Sequence, residues 1–100
     1  MTIKKQKNGT ELTLAVEGRL DTVTSPELEA ALKEELNGIE SLTFDFSALD
    51  YISSAGLRVL LSAQKQMNKQ GEMKVTGVSE IIMEIFEVTG FTDLLTIEQA

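Results

Sequence analysis

Hydrophobic and polar residues alternate along several short stretches of the chain, which is the period of a β-strand with one buried face. The alternation is clearest over residues 11–17 and 41–47, where leucine, valine and phenylalanine occupy every second position. A weaker strand candidate covers residues 2–7, and the Asn8-Gly9 pair behind it predicts a hairpin turn. The remaining predicted strands are residues 72–77 and 94–97, the latter at an edge of the sheet.

A different spacing, with apolar residues three and four positions apart, predicts a first helix after the hairpin. Ser25 as its N-cap would place Pro26 at the first helical position, where the missing N–H costs nothing. Thr24 as the N-cap would instead make Glu27 the third residue of a capping box. The helix is expected to end at Asn37-Gly38.

Two more helices follow from the same spacing. One covers residues 55–70 and ends at Gly71, and the next begins after Ser79 as its N-cap and stops at Thr89-Gly90. This third helix holds more apolar residues than one buried face requires, namely Ile81, Met83 and Val88. We expect the helix to be broadly buried, and a hydrophobic docking patch is the alternative.

The alternation within the strands also predicts how the layers are arranged. Strands of a parallel sheet that is covered on both faces are continuously apolar, whereas these strands alternate. Helices are therefore expected on one face of the sheet only, with the other face polar or covered by a partner. Together with strand–helix–strand crossovers, the hairpin gives a mixed sheet. The sequence predicts a single α+β domain over residues 1–100.

Composition excludes several classes of function. The chain has no Cys and no His, so thiolate metal sites, cysteine nucleophiles and histidine bases are absent, and we expect no metal or cofactor. Asp45 and Asp50 lack the acidic cluster and lysine of a Mg²⁺-dependent phosphoacceptor site.

A net charge of −7 disfavours binding to nucleic acids and to anionic membranes. Without an apolar run of membrane-spanning length or a signal-peptide core, the sequence predicts a cytoplasmic protein with no membrane insertion.

Ser53 and Ser54 lie where a strand gives way to the second helix. Backbone N–H groups at a helix start have no partner within the helix, and the helix dipole adds a partial positive charge there. A serine at this place usually caps the helix, and a phosphate on it would be well tolerated. From the residues alone, a cap is the favoured interpretation.

The segment Tyr51-Ile52-Ser53-Ser54-Ala55-Gly56-Leu57 leads into the second helix, and the segment Gly18-Arg19-Leu20-Asp21 is predicted to turn out of the second strand. Both segments resemble landmarks of bacterial anti-sigma factor antagonists, the single-domain STAS proteins. The first is similar to the phosphorylation-site loop of the family, and the second is similar to its Gly-x-Leu-Asp turn. The acceptor serine of the family lies two residues before the loop glycine, which here is Ser54. The chain has Ser53 where the family often has aspartate, and this departure leaves Ser53 as a rival acceptor.

The resemblance implies a protein-interaction switch rather than an enzyme. Unphosphorylated, the domain would bind an anti-sigma factor that is also a serine kinase, and so free a sigma factor. Phosphorylation by that kinase would release the domain, and a serine phosphatase would reset it. The expected partner-binding residues are Asp21, Ser53, Ser54, Gly56 and Arg58, with Arg58 placed to neutralise part of the phosphate charge. Asp21 has a second interpretation, as a turn aspartate bonded to its own backbone.

The alternative function is a binding module without phosphorylation, such as the small STAS subunit of a lipid-transport ATPase. A small enzyme is disfavoured, because the sequence has neither His nor Cys and no catalytic motif.

Overall fold

The computed structural model describes residues 1–98, which form a six-stranded mixed sheet with three α-helices and one 3₁₀ turn. In chain order the elements are β1 (Thr2–Asn8), β2 (Glu11–Leu20), α1 (Ser25–Glu35), β3 (Ser41–Asp45), β4 (Leu49–Ile52), α2 (Ser54–Gln70), β5 (Glu72–Thr76), α3 (Glu80–Thr89), the 3₁₀ turn (Phe91–Asp93) and β6 (Ile97–Glu98). None of the helices within these residues is both long and apolar enough to cross a membrane.

The sheet is built around β2, its longest strand. The strand order is β1-β2-β3-β5-β6, with β1 antiparallel to β2 and the other neighbours parallel. The first half of β2, from Glu11 to Ala15, pairs with β3, and its last residues, from Gly18 to Leu20, pair with β4. Within the pairing of β2 with β4 the register shifts between Gly18 and Arg19, so that Asp50 of β4 is left without a partner on β2.

The hydrophobic core lies on one face of the sheet. Leu12 and Leu14 of β2 are buried, whereas the alternate residues Thr13 and Ala15 are partly exposed, and β3 and β5 follow the same rule. All three helices contribute buried side chains to the same cluster, including Leu28, Leu32, Leu60, Met67, Ile82 and Phe86. The predicted α+β layout, with helices on one face of a mixed sheet, is confirmed.

Strand β4 was not predicted, and the turn predicted at residues 18–21 begins three residues too early. Residues 18–20 continue β2 instead, and β3 ends at Asp45 rather than at Ser47. The unpredicted β4 and the late turn have one cause, because residues 18–20 are extended as the partners of Leu49–Ile52. Such pairing joins residues about thirty positions apart and leaves no local pattern.

The ends of α1 and the last strand also differ from expectation. Thr24 is the N-cap of α1, but its side chain makes no capping bond, so the predicted capping box is absent. The helix ends at Glu35, before Asn37-Gly38. At the chain end, the strand predicted for residues 94–97 overlaps β6 only at Ile97. The predicted limits of α3 are confirmed, with Ser79 as N-cap and Gly90 as a left-handed C-cap.

The expectation that α3 is broadly buried is wrong. Ile82 and Phe86 are fully buried, but Ile81 and Val88 are 59% and 84% exposed. The helix packs against β4 and the 3₁₀ turn through its buried side, and no described element covers the opposite side. An apolar strip of α3 therefore faces solvent.

Candidate functional site

The two sequence landmarks meet at the carboxyl ends of β2 and β4. These strands are parallel neighbours, with Arg19 opposite Tyr51 and Leu20 opposite Ile52. The N–H of Ser53 donates to the carbonyl oxygen of Leu20 at 2.9 Å, which fixes the start of α2 to the end of β2. Asp21 and the two serines consequently lie at the same edge of the sheet.

Gly56 allows α2 to lie this close to the strands. A Cβ at this position would lie 2.8 Å from side-chain carbons of both Ile52 and Leu20, and 3.0 Å from the carbonyl oxygen of Leu20. Contacts this short require a neighbour to move, and one of them is backbone. Gly56 is buried, so its contribution to this edge is the close placement of the helix rather than a surface contact of its own.

The structure distinguishes the two serines. Ser53 is the N-cap of α2, yet its side chain makes no capping bond, and its Oγ is buried without a hydrogen-bond partner within residues 1–98. Ser54 is the first residue of the helix and is exposed. Ser54 is therefore accessible from solvent, whereas the Ser53 hydroxyl is enclosed.

Asp21 makes the hydrogen bonds expected of a turn aspartate. Its Oδ1 accepts hydrogen bonds from the N–H groups of Val23 at 3.0 Å and Thr24 at 3.1 Å, as a turn aspartate does. These bonds, chiefly the one from the backbone of Thr24, hold the pKa of Asp21 below its ordinary value, with a smaller contribution from Arg19. Asp21 also follows Leu20 directly, so the turn that it stabilises stands beside the start of α2.

A cation and an aromatic ring complete this edge. The Nε of Arg19 lies 3.8 Å from Oδ2 of Asp21, and the guanidinium carbon lies 4.5 Å from the centre of the Tyr51 ring. The contact with Tyr51 ties the end of β2 to β4, and the contact with Asp21 links Arg19 to the turn that follows β2. Sequence analysis did not assign Arg19 or Tyr51 a role, because only the register between β2 and β4 brings them together.

Arg58 is exposed one turn after Ser54, on the same side of α2. Within residues 1–98 it forms no ion pair, so its charge is available to a ligand or modification. It borders a shallow groove of about 470 Å³ between the start of α1 and α2, which Pro26 and Glu29 line from the other side. Asp50 is exposed on β4 and makes no described hydrogen bond to either serine.

Val23 belongs to this surface and was missed by sequence analysis. It lies in the turn between Asp21 and α1 and is 85% exposed. The available signal was an apolar residue within the polar segment Asp21-Thr22-Val23-Thr24-Ser25. An exposed aliphatic side chain next to Asp21 would give a protein partner apolar area to bury.

No group of three or more potential metal-ligating side chains occurs among the described residues. The chemistry of this edge is that of a surface hydroxyl, two arginines, a carboxylate and an apolar contact.

Comparison with known proteins agrees with this picture. A family model described as the STAS domain matches residues 2–100. The anti-sigma-B factor antagonist of Listeria monocytogenes is 30% identical over 97 residues, covering 94% of this chain and 84% of that protein. The anti-sigma-B factor antagonist of Staphylococcus aureus is 33% identical over 86 residues, covering 84% of this chain and 80% of that protein.

Solved structures extend the similarity to the fold. The anti-sigma factor antagonist SpoIIAA of Bacillus has a TM-score of 0.78 in both its unphosphorylated and its phosphorylated form. The identities are 13% and 14%, with 99% of this chain and 89% and 91% of those chains covered. The relatives are named for antagonism of a regulatory factor, in agreement with the expectation that this chain is not an enzyme. The chain belongs to the STAS-domain family, among its anti-sigma factor antagonists.

Proposed function

We propose that this domain switches between partners according to the phosphorylation of Ser54. Unphosphorylated, it binds an anti-sigma factor that is also a serine kinase, and a sigma factor is freed. The kinase then transfers the γ-phosphoryl group of ATP to the Ser54 hydroxyl and ADP leaves. The phosphorylated domain dissociates, and a cytoplasmic serine phosphatase hydrolyses the phosphoester to reset it.

The observation that carries this proposal is the contrast between two adjacent serines. Ser54 is exposed at the first position of α2, whereas the Oγ of Ser53 is buried within the described structure. A phosphoryl group has no room at a buried oxygen unless the end of β4 and the start of α2 separate. Ser54 therefore fits the acceptor role, and Ser53 fits a structural role at the end of β4.

The start of α2 is suited to hold a phosphate without disturbing the fold. No side chain caps this helix, and its first turn contains no acidic residue, so its N–H groups are not engaged by protein carboxylates or hydroxyls. Phosphoserine carries about −1.5 to −2 charges at neutral pH. Interaction of a negative charge with the dipole of this 17-residue helix typically contributes about 0.3–1 kcal/mol. The equal TM-scores to the two forms of SpoIIAA support a fold that persists on modification.

The cost of the phosphate falls on the complex. The turn that holds Asp21 and exposed Val23 begins directly after Leu20, whose carbonyl oxygen accepts from the N–H of Ser53, so a partner that covers this turn and the start of α2 also covers Ser54. Removing a phosphate dianion from water costs several kcal/mol unless cations replace its hydration. Arg58 offsets part of this charge, but a loss of about 1.4 kcal/mol already weakens binding tenfold.

Incubation with the cognate kinase and ATP, followed by intact mass measurement, tests the acceptor. We expect the wild-type chain and Ser53→Ala to gain one phosphoryl group, and Ser54→Ala to gain none. Ser62→Ala, an exposed serine of the same helix, is the matched control and should be modified like wild type. Phosphate that survives Ser54→Ala, or that disappears in Ser53→Ala while the fold is intact, would refute the assignment.

A further inference from the structure

A second surface on α3 is unexplained by the switch at Ser54. Ile81 and Val88 are 59% and 84% exposed, and Ile85 lies partly exposed between them. Positions i, i+4 and i+7 share one side of a helix, so these residues form one apolar stripe. The stripe lines a mostly apolar groove of about 300 Å³. Ile82 and Phe86 hold α3 in the core and Ile85 packs against its edge, so Ile81 and Val88 are not needed for packing.

An acidic stripe runs beside the apolar one. Glu80, Glu84 and Glu87 repeat the same spacing one residue earlier, and all three are exposed. None of them forms an ion pair within residues 1–98, and α3 contains no lysine or arginine. Like charges three and four residues apart destabilise a helix, and Glu87 lies near the negative end of the dipole. Glu80 lies in the first turn, where the helix dipole favours a negative charge, but Glu84 and Glu87 gain no such stabilisation.

We propose that this side of α3 is a docking site for a basic amphipathic helix of another protein. Apolar residues of that helix would fill the groove between Ile81 and Val88, and its lysines or arginines would pair with the glutamates. Amphipathic helices bind hydrophobic grooves through apolar residues at positions i, i+4 and i+7. Complementary charges beside the groove set the orientation of the bound helix and the choice of partner.

Charge also argues against a second copy of the chain as the occupant. Pairing two α3 helices through their apolar stripes would bring two sets of three glutamates together. The chains already carry a net charge of −7 each, and neither α3 supplies a cation. The proposed docking site lies on α3, whereas Ser54 is the first residue of α2. We therefore expect binding to α3 to be the same whether or not Ser54 is phosphorylated.

The full chain can be titrated with a synthetic amphipathic helical peptide that carries leucines at i, i+4 and i+7 flanked by lysines. A second peptide has glutamate in place of each lysine. Fluorescence anisotropy gives the affinities, and backbone amide NMR shifts locate the site. We expect the lysine peptide to bind at least tenfold more tightly than the glutamate peptide, with shifts concentrated in Glu80–Thr89. Glu84→Lys/Glu87→Lys should reverse that preference.

The apolar contribution has a matched control within the chain. Ile81→Asn/Val88→Asn should weaken binding of the lysine peptide at least tenfold, about 1.4 kcal/mol. Val23→Asn changes the same residue type at 85% exposure on a different surface and should bind like wild type. Unchanged affinity of the double variant, or shifts spread over the whole acidic surface, would overturn the proposal. So would a dimer in sedimentation equilibrium that the double variant dissolves, because the occupant would then be a second copy.

Discussion

Replacement of an N-cap serine by alanine ordinarily costs a protein about 1 kcal/mol, because one N–H of the first helical turn loses its acceptor. This chain has two such serines with similar backbones. Ser53 has φ −96° and ψ 176°, and Ser79 has φ −73° and ψ 166°. The Oγ of Ser79 accepts from the N–H of Ile82 at 3.3 Å, whereas the Oγ of Ser53 makes no such bond and is buried.

The two substitutions should therefore differ in sign or nearly so. Ser79→Ala should lose about 1 kcal/mol of unfolding free energy. Ser53→Ala has no capping bond to lose, and it removes a hydroxyl whose burial without a partner costs about 1–3 kcal/mol. Because a small void replaces the hydroxyl, we expect a change between zero and a gain of about 1 kcal/mol. For a domain of this size, 1 kcal/mol shifts the Tm by about 4–8 °C.

Urea denaturation of wild type and both variants measures the difference. The midpoint of Ser79→Ala should fall and that of Ser53→Ala should hold or rise, with the same dependence on urea for all three. Equal destabilisation by the two substitutions would refute the reasoning, since it would mean that the Ser53 hydroxyl is hydrogen-bonded. The Ser53 hydroxyl would then cap α2, and its burial alone would distinguish it from Ser54.

Other predictions follow from the site and its surroundings. Gly56→Ala should lower the unfolding free energy by about 1 kcal/mol, because overpacking against Leu20 outweighs the gain in helix propensity; a rise in the urea midpoint would contradict it. Hydrogen bonds from Ser47 lower the pKa of Asp45 in the folded chain below its ordinary value of 3.8. The ionised carboxylate therefore stabilises the fold above pH 3.8, and this stabilisation is lost as the pH falls through the lower pKa of the folded state. Asp45→Asn should accordingly make the acid limb of the stability–pH curve shallower, and an unchanged limb would be the opposing result. Asp21→Ala should slow phosphorylation by the cognate kinase by loosening the turn beside α2, and a wild-type rate would leave Asp21 with a turn role alone.

The spacing of apolar residues in the sequence predicted those strands and helices that have one face in the core and one face in solvent. Leu12 and Leu14, or Ile82 and Phe86, carry the period of their element, because each repeats on the face that meets the core. The resemblance of two short segments then predicted the family and the place of the site.

Three features required coordinates because they depend on distant parts of the chain. Strand β4 exists through its pairing with the end of β2, and its four residues carry no alternation long enough to predict a strand. The exposed stripe of α3 has an apolar composition like that of a buried helix, and only the absence of a covering element in the described structure distinguishes the two. Ser53 and Ser54 are adjacent in sequence, and only the geometry of the connection between β4 and α2 buries the Oγ of Ser53 and exposes Ser54.

The central claim is that a phosphate on Ser54 breaks the complex and spares the fold. Its most direct test is the affinity of the cognate kinase for the unphosphorylated and the Ser54-phosphorylated chain, measured alongside the Tm of both. We predict binding weakened at least tenfold, about 1.4 kcal/mol, with the Tm unchanged within a few degrees. Equal affinity for the two forms, or a phosphorylated chain that unfolds, would contradict the account.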